Sequence, residues 1–208
     1  LGAFKTAYET DPRQIEHINT LSAAVRELGG PVVWTYVAYS ESGEDAGTWG
    51  TRTNTVDSLQ NIKHGSERAQ FDPRAQIAPS DIVMHKRMAS PFFETNLWSL
   101  LTFHQVDTLI ITGGSTSGCV RACVIDSLSR GYRSIVPQEC VADKHEIPHF
   151  ANLADIMLKY GDVEPVEHVA AQLKALDFQA ALAEALGLPL VLHVRSKDGK
   201  AEEDLAAW

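Results

Sequence analysis

The sequence lacks an excess of positive charge and lacks any long apolar run. Its 208 residues carry 18 lysines and arginines against 27 aspartates and glutamates, which gives a formal net charge of -9. Binding to nucleic acid needs a basic face, and no cluster of lysine and arginine supplies one, so we expect no nucleic-acid partner. No run approaches the roughly 20 apolar residues of a membrane helix, and no signal-peptide pattern opens the chain, so we expect no membrane partner either.

Cysteine is also scarce. The three cysteines, at positions 119, 123 and 140, fit neither a zinc site nor the disulfide framework of a secreted domain, so we expect a cytoplasmic protein without a metal or cofactor. The glycine patterns of dinucleotide-binding and P-loop proteins are missing as well. The composition, 44% hydrophobic and 22% charged, is that of an ordinary globular domain. We expect residues 1–208 to form a single domain, with residues 187–208 as a C-terminal extension.

The most informative stretch of the sequence is residues 107–129. An apolar run rich in β-branched residues, 107–112, enters a cluster of Gly, Ser and Thr at 113–118, and a helical segment follows at 119–129. The pattern predicts a strand, a tight turn and a helix that begins at Cys119. The first N–H groups of a helix lack internal partners and its dipole is positive there, which favours a thiolate. Cys119 is therefore the candidate nucleophile, and a buried structural thiol is the alternative.

Strands and helices alternate along the rest of the chain. Apolar and β-branched runs predict further strands at 32–37, 81–86, 132–136, 162–163 and 188–194. Helices are predicted at 11–28, 94–104, 148–160 and 167–186, a long loop with a short helix at 40–80, a polar loop at 137–144 and a charged tail at 195–208. This alternation predicts an α/β fold, a three-layer αβα sandwich with a mainly parallel, Rossmann-like central sheet. In such sheets chemistry gathers at the carboxyl ends of the strands, where Lys86 and Cys119 both lie.

Three motifs extend the pattern around Lys86 and Cys119. Residues 86–95 read Lys-x-x-x-Ser-x-Phe-Phe-x-Thr, residues 112–121 read Thr-Gly-Gly-Ser-Thr-Ser-Gly-Cys-Val-Arg, and residues 139–144 read Glu-Cys-Val-Ala-Asp-Lys. In these motifs the chain resembles the isochorismatase-like cysteine hydrolases. It is most similar to their amidohydrolase branch, which includes N-carbamoylsarcosine amidohydrolase, biuret hydrolase, maleamate amidohydrolase and ureidoacrylate amidohydrolase.

The resemblance implies a cysteine-dependent amidohydrolase, which cleaves a carbon–nitrogen bond of a small linear amide, carbamoyl or ureido substrate through a thioester and releases ammonia. It implies an Asp-Lys-Cys triad in which Cys119 attacks the carbonyl carbon and Lys86 is the positive neighbour of the thiolate. The turn at Gly114 and Ser115 resembles the family's non-proline cis peptide, and together with the Cys119 N–H group it is the candidate oxyanion site. We also expect a homo-oligomer, either a dimer or a tetramer.

The carboxylate of that triad is not evident in the sequence. No apolar strand ending in an acid precedes the first helix, and we interpret Glu9 and Asp11 as caps or solvated charges. We expect the triad aspartate upstream of Leu1. A strand at 188–194 that fills the gap, and a catalytically inactive member that binds a metabolite or a partner, are the alternatives. Hydrolysis of an isochorismate vinyl ether, which uses no catalytic cysteine, is disfavoured because Cys119 is present.

Lys144 is the candidate substrate-binding residue. Relatives with carboxylate substrates typically have an arginine there, which can grip a carboxylate at two points, whereas lysine supplies a point charge. The alternative is a surface lysine paired with Asp143 or Glu146. We further predict that Cys123 lies in the core and Cys140 in the pocket wall. His149 and Asn152, in the helix that follows, are predicted to tie loops together.

Overall fold

The computed structural model describes residues 8–9 and 11–186. The strands, in chain order, are β1 (Tyr8–Glu9), β2 (Val33–Val37), β3 (Ile82–Lys86), β4 (Thr108–Ile110), β5 (Gly113–Gly114), β6 (Arg133–Pro137), β7 (Val141–Asp143) and β8 (Asp162–Glu164). The helices are α1 (Gln14–Glu27), α2 (Gly47–Thr51), α3 (Leu97–Phe103), α4 (Arg121–Ser129), α5 (Glu146–Lys159) and α6 (Val166–Leu186). The strand predicted at 188–194 and the tail at 195–208 lie outside the described residues.

Parallel pairing dominates the sheet. β2 pairs with β3, and β4, β6 and β8 lie side by side in that order, in both cases in parallel. β7 pairs in parallel with β5 and antiparallel with β1. Within the part of the chain that the structure describes, β3 pairs with β2 alone and β4 with β6 alone, so the long strands form two parallel sets.

The helices cover both faces of the strands. Ile135 and Val136 are adjacent in β6 and therefore point to opposite faces. Ile135 packs against the cluster that α1 and α6 supply, whereas Val136 lies in the cluster with Val124 of α4 and Ile156 of α5. The predicted three-layer αβα sandwich with a mainly parallel, Rossmann-like sheet is thereby confirmed.

Two sequence-based assignments were wrong in part. The helix predicted at 94–104 begins only at Leu97, because Glu94 has a left-handed backbone (φ 54°) and the Thr95 hydroxyl accepts the Leu97 N–H group. The segment 137–144 is not a polar loop: β7 runs through it, paired on both sides, and Cys140 and Val141 are fully buried. The long loop at 40–80 is confirmed, with short helical turns along it.

Asp81, directly before β3, ties α1 to the sheet. Its side chain is 1% exposed, and its two oxygens accept hydrogen bonds from Arg26 Nε and Nη2, both at 2.7 Å. Trp34 Nε1 and the Ala78 N–H group donate to Oδ2 at 2.8 and 2.9 Å. These donors, the Arg26 guanidinium first, lower the pKa of Asp81 to about 2.

We expect Asp81→Asn to lower the free energy of unfolding at pH 7 by about 3 kcal/mol, because the variant leaves a partly buried guanidinium without its anion. Urea unfolding measures the change. The contribution of Asp81 is fully present above about pH 4 and is lost as the pH falls through the folded pKa near 2, so the gap between the variant and the wild type should narrow in acid. Asp126→Asn, which breaks a surface pair with Arg130, is the control and should cost less than about 1 kcal/mol.

Candidate active site

Lys86 and Cys119 meet at the carboxyl edge of the sheet. Lys86 is the last residue of β3 and is only 4% exposed, and its Nζ lies 3.3 Å from Cys119 Sγ. The same ammonium donates to the carbonyls of Met88 and Ala89 at 3.0 and 2.9 Å. These three partners account for all three ammonium hydrogens. A buried cation is costly unless an anion compensates it, and the partner here that can become an anion is the Cys119 sulfur.

Cys119 lies in a wide turn rather than at the first residue of α4. A π-type turn spans Thr116–Val120, and α4 begins at Arg121, so the prediction that the helix begins at Cys119 was wrong by two residues. The Ser115 carbonyl accepts hydrogen bonds from the N–H groups of Gly118 and Val120, both at 3.1 Å, but not from the N–H group of Cys119, which lies between them in the chain. The Gly114–Ser115 peptide bond is cis, as the sequence predicted.

The two glycines before this turn are needed for its shape. Gly113 has φ +100°, a conformation that L side chains rarely adopt. A Cβ atom at Gly114 would lie 3.2 Å from the carbonyl oxygen of Ala142, because β5 and β7 pair at this point. The small residues therefore let the strand turn sharply beside β7.

Two buried side chains hold the turn from outside. Asp143, at the end of β7, is 5% exposed, and its Oδ2 accepts the Ser117 N–H group at 2.7 Å. Thr116 Oγ1 and His149 Nδ1 are 2.9 Å apart, and both residues are fully buried. Burial lowers the pKa of His149, so its ring is neutral at neutral pH. The prediction that His149 ties segments together is confirmed, whereas Asn152 bonds within its own helix, to Pro148.

Tyr39 lies at the same edge of the sheet as Lys86. This residue is fully buried, and its hydroxyl donates to the Arg87 carbonyl at 2.5 Å. Burial raises the pKa of Tyr39 to about 12.

Of the other two cysteines, Cys140 is buried and Cys123 is partly buried. Cys123 packs against two core clusters, as predicted. Cys140 does not line the pocket wall, because it is fully buried among α1 and α6. Burial raises the pKa of each thiol to about 12, so both stay protonated at neutral pH.

Asp11 is bound near the start of α1 and not at the site. The Asp11 carboxylate binds Arg13 and His17, and it accepts the Arg13 backbone N–H group near the start of α1. Glu9 belongs to β1. Among residues 8–9 and 11–186, the hydrogen-bond partners of Lys86 and Cys119 include no carboxylate, and no group of three or more His, Cys, Asp or Glu side chains could hold a metal ion.

Lys144 is paired with a residue that the sequence did not suggest. Its Nζ lies 2.7 Å from Asp57 Oδ2, rather than beside Asp143 or Glu146. Asp57 lies in the long loop, where a cavity of about 330 Å³ is lined by residues between Trp49 and Leu59. The backbone N–H group of Lys144 donates to Asp143 Oδ1 at 2.7 Å, so one carboxylate binds both the turn and Lys144.

The chain has a parallel α/β sheet with a lysine and a cysteine in contact at its carboxyl edge. These two features indicate the family to which it belongs. The isochorismatase domain family matches residues 3–168, and the chain belongs to that family. The resemblance drawn from the sequence motifs is thus confirmed. In the part of the chain that the structure describes, no helix is both long and apolar enough to cross a membrane.

Curated relatives and solved structures agree with this membership. The chain is 39% identical over 163 residues to the maleamate amidohydrolase of Pseudomonas putida, covering 78% of this chain and 75% of that protein. It is 35% identical over 183 residues to the N-carbamoylsarcosine amidase of an Arthrobacter species, covering 84% and 67%. A cysteine hydrolase structure from Pseudomonas syringae pv. phaseolicola superposes with a TM-score of 0.71 at 20% identity, covering 77% and 80% of the two chains, which shows the shared fold.

Proposed function

We propose that this protein is a cysteine-dependent amidohydrolase of a small linear amide, carbamoyl or ureido compound. A hydrolase of amide carbon–nitrogen bonds is what its family and its amidohydrolase relatives support. The observation that carries the cysteine mechanism is the 3.3 Å contact between Lys86 Nζ and Cys119 Sγ in a buried setting. A thiolate is the reactive form of cysteine, and a buried ammonium beside it stabilises that form.

In the proposed reaction the Cys119 thiolate attacks the carbonyl carbon of the amide. The carbon–nitrogen bond of the tetrahedral intermediate then breaks, the nitrogen takes up a proton from solvent and leaves as ammonia, and a thioester remains on Cys119. Water hydrolyses the thioester to the acid, which restores the thiolate and returns one proton to solvent. Lys86 holds the sulfur in place and compensates its charge through both steps.

We propose the turn at Gly114 and Ser115, together with the Cys119 N–H group, as the oxyanion site. Backbone donors that are already fixed before the reaction stabilise the developing negative charge without reorganisation. This proposal is supported by the contacts that hold the turn in place. Asp143 binds the Ser117 N–H group, and His149 binds the Thr116 hydroxyl. Gly118 and Val120 donate to the Ser115 carbonyl, which leaves the Cys119 N–H group outside that pair of bonds.

Lys144 is proposed to bind a polar oxygen at the far end of the substrate. Its backbone is anchored to Asp143, the residue that also holds the turn carrying Cys119. Of its three ammonium hydrogens, one points to Asp57, and the other two are suited to an acceptor such as a carbonyl oxygen.

Ammonia release tests the proposal. We expect at least one of maleamate, N-carbamoylsarcosine, ureidoacrylate and biuret to be hydrolysed with one ammonia per amide cleaved. Acid quenching during turnover, followed by peptide mass analysis, should show an acyl adduct on Cys119. Iodoacetamide at neutral pH should label Cys119 ahead of Cys123 and Cys140, whose raised pKa values keep them protonated, and should abolish activity.

Two results would contradict the proposal. One is full turnover by protein that is stoichiometrically alkylated at Cys119. The other is the absence of ammonia release from every amide of the panel combined with no preferential labelling of Cys119, which would instead favour an inactive, metabolite-binding member of the family.

A further inference from the structure

A chain of three hydrogen bonds connects the turn that carries Cys119 to Asp57. The Ser117 N–H group donates to Asp143 Oδ2, the Lys144 N–H group donates to Asp143 Oδ1, and Lys144 Nζ donates to Asp57 Oδ2, each at 2.7 Å. Asp57 is 87 residues away from Lys144 in sequence. The pair therefore brings a carboxylate of the long loop to the end of β7, next to Asp143, which holds the turn that carries Cys119.

Asp57 is held by its own loop as well as by Lys144. Arg68 Nη1 and Nη2 donate to the carbonyls of Val56 and Asp57 at 3.0 and 3.2 Å. Next to it, the 3% exposed Ser58 accepts the Thr55 N–H group at 2.8 Å. These bonds fix the backbone on both sides of Asp57, and its carboxylate lies 2.7 Å from Lys144 Nζ.

The pair carries no net charge. The hydrogen bond from Lys144 is the largest cause that lowers the pKa of Asp57 to about 2, so the carboxylate is ionised at neutral pH. A substrate carboxylate that approached Lys144 would meet the negative charge of Asp57 at nearly the same distance, and the attraction would be largely cancelled. A neutral carbonyl oxygen meets no such repulsion and can still accept a hydrogen bond from the ammonium.

We infer that Asp57 determines the charge preference of the site: by compensating Lys144 it makes the site select an uncharged amide or ureido substrate over one that ends in a carboxylate. The inference rests on the proposed function, since it concerns which amides the same site accepts. Under this inference the preferred substrate of this chain differs in charge from the substrates that name its maleamate and N-carbamoylsarcosine relatives, which are carboxylates.

The test compares two substrates of similar shape, maleamate, which is an anion, and maleamide, its uncharged diamide. We expect the wild type to favour maleamide in kcat/KM. Asp57→Asn keeps the size of the side chain and exposes the charge of Lys144, so it should raise the ratio of maleamate to maleamide kcat/KM by about tenfold, chiefly through KM for maleamate. Glu164→Gln removes the same unit of charge from a surface pair with His168 and should leave the ratio unchanged.

A second readout does not depend on turnover. The rates at which iodoacetate and iodoacetamide alkylate Cys119 compare an anionic with a neutral reagent at the same atom, and Asp57→Asn should raise the iodoacetate to iodoacetamide ratio by about threefold. An unchanged alkylation ratio, or one equal to that of Glu164→Gln, overturns the inference. If neither maleamide nor any amide of the panel releases ammonia while the alkylation ratio shifts as expected, the proposed function fails and the charge preference of the site stands.

Discussion

Cys119→Ser is expected to lower kcat/KM for the best amide substrate by roughly 10⁴-fold, the scale seen when a member of a nucleophilic catalytic group is removed. A serine hydroxyl is far less acidic than a thiol, and among the described residues no side chain base lies within hydrogen-bond reach of this position. Lys86 donates to the sulfur and can stabilise an anion, but it does not take up the proton of an alcohol. Steady-state ammonia release measures the loss.

Cys123→Ala is the matched control for that variant. Cys123 lies one helical turn further on and has the pKa of its thiol raised to about 12 by burial, so its removal should leave most of the activity. If Cys119→Ser keeps activity within the range of Cys123→Ala, Cys119 is not the nucleophile. Circular dichroism of both variants separates loss of chemistry from loss of fold.

Lys86→Met is expected to lower kcat/KM by roughly 10³-fold, because it removes the positive charge that compensates the proposed thiolate. Methionine has a similar length and suits a buried position, so the fold should survive. The carbonyls of Met88 and Ala89 lose their donor, which should lower the free energy of unfolding by about 1–3 kcal/mol. The rate of iodoacetamide labelling at Cys119 should fall together with kcat.

Lys63→Met provides the comparison for Lys86. The Lys63 ammonium also donates to two carbonyls, those of Ser40 and Glu41 at 2.8 and 2.9 Å, but it has no hydrogen bond to Cys119. A similar loss of stability with little loss of labelling rate is expected there. Equal losses of labelling rate in the two variants would mean that Lys86 acts only by holding backbone carbonyls, and would refute its role beside the thiolate.

The meeting of Lys86 and Cys119 could be predicted because it follows from the sheet. Both residues come just after apolar strands, and the carboxyl ends of parallel strands share one edge. The cis peptide at Gly114 and Ser115 was predicted as well, through the resemblance of residues 112–121 to the family. Local patterns were sufficient here because the residues that matter lie on or directly next to strands.

The surroundings of that pair could not be predicted, because they depend on contacts between distant segments. β7 lies in a segment whose mixed polarity does not predict a strand. It forms a strand because β1 and β5 pair with it on its two sides. Asp57 meets Lys144 across 87 residues, and no periodicity in a loop encodes such a partner. The π-type turn was missed because one extra residue before α4 leaves no trace in composition.

The position of Asp143 has a consequence for protein engineering. One carboxylate anchors both the turn that carries Cys119 and the backbone of the proposed substrate-binding lysine, so we expect a change at Asp143 to alter reactivity and recognition at the same time. Asp57 approaches the same lysine from an exposed loop, with 61% of its side chain accessible, and takes no part in that anchor. A library that varies position 57 and leaves β7 intact is therefore the route to a changed substrate range with the catalytic geometry preserved.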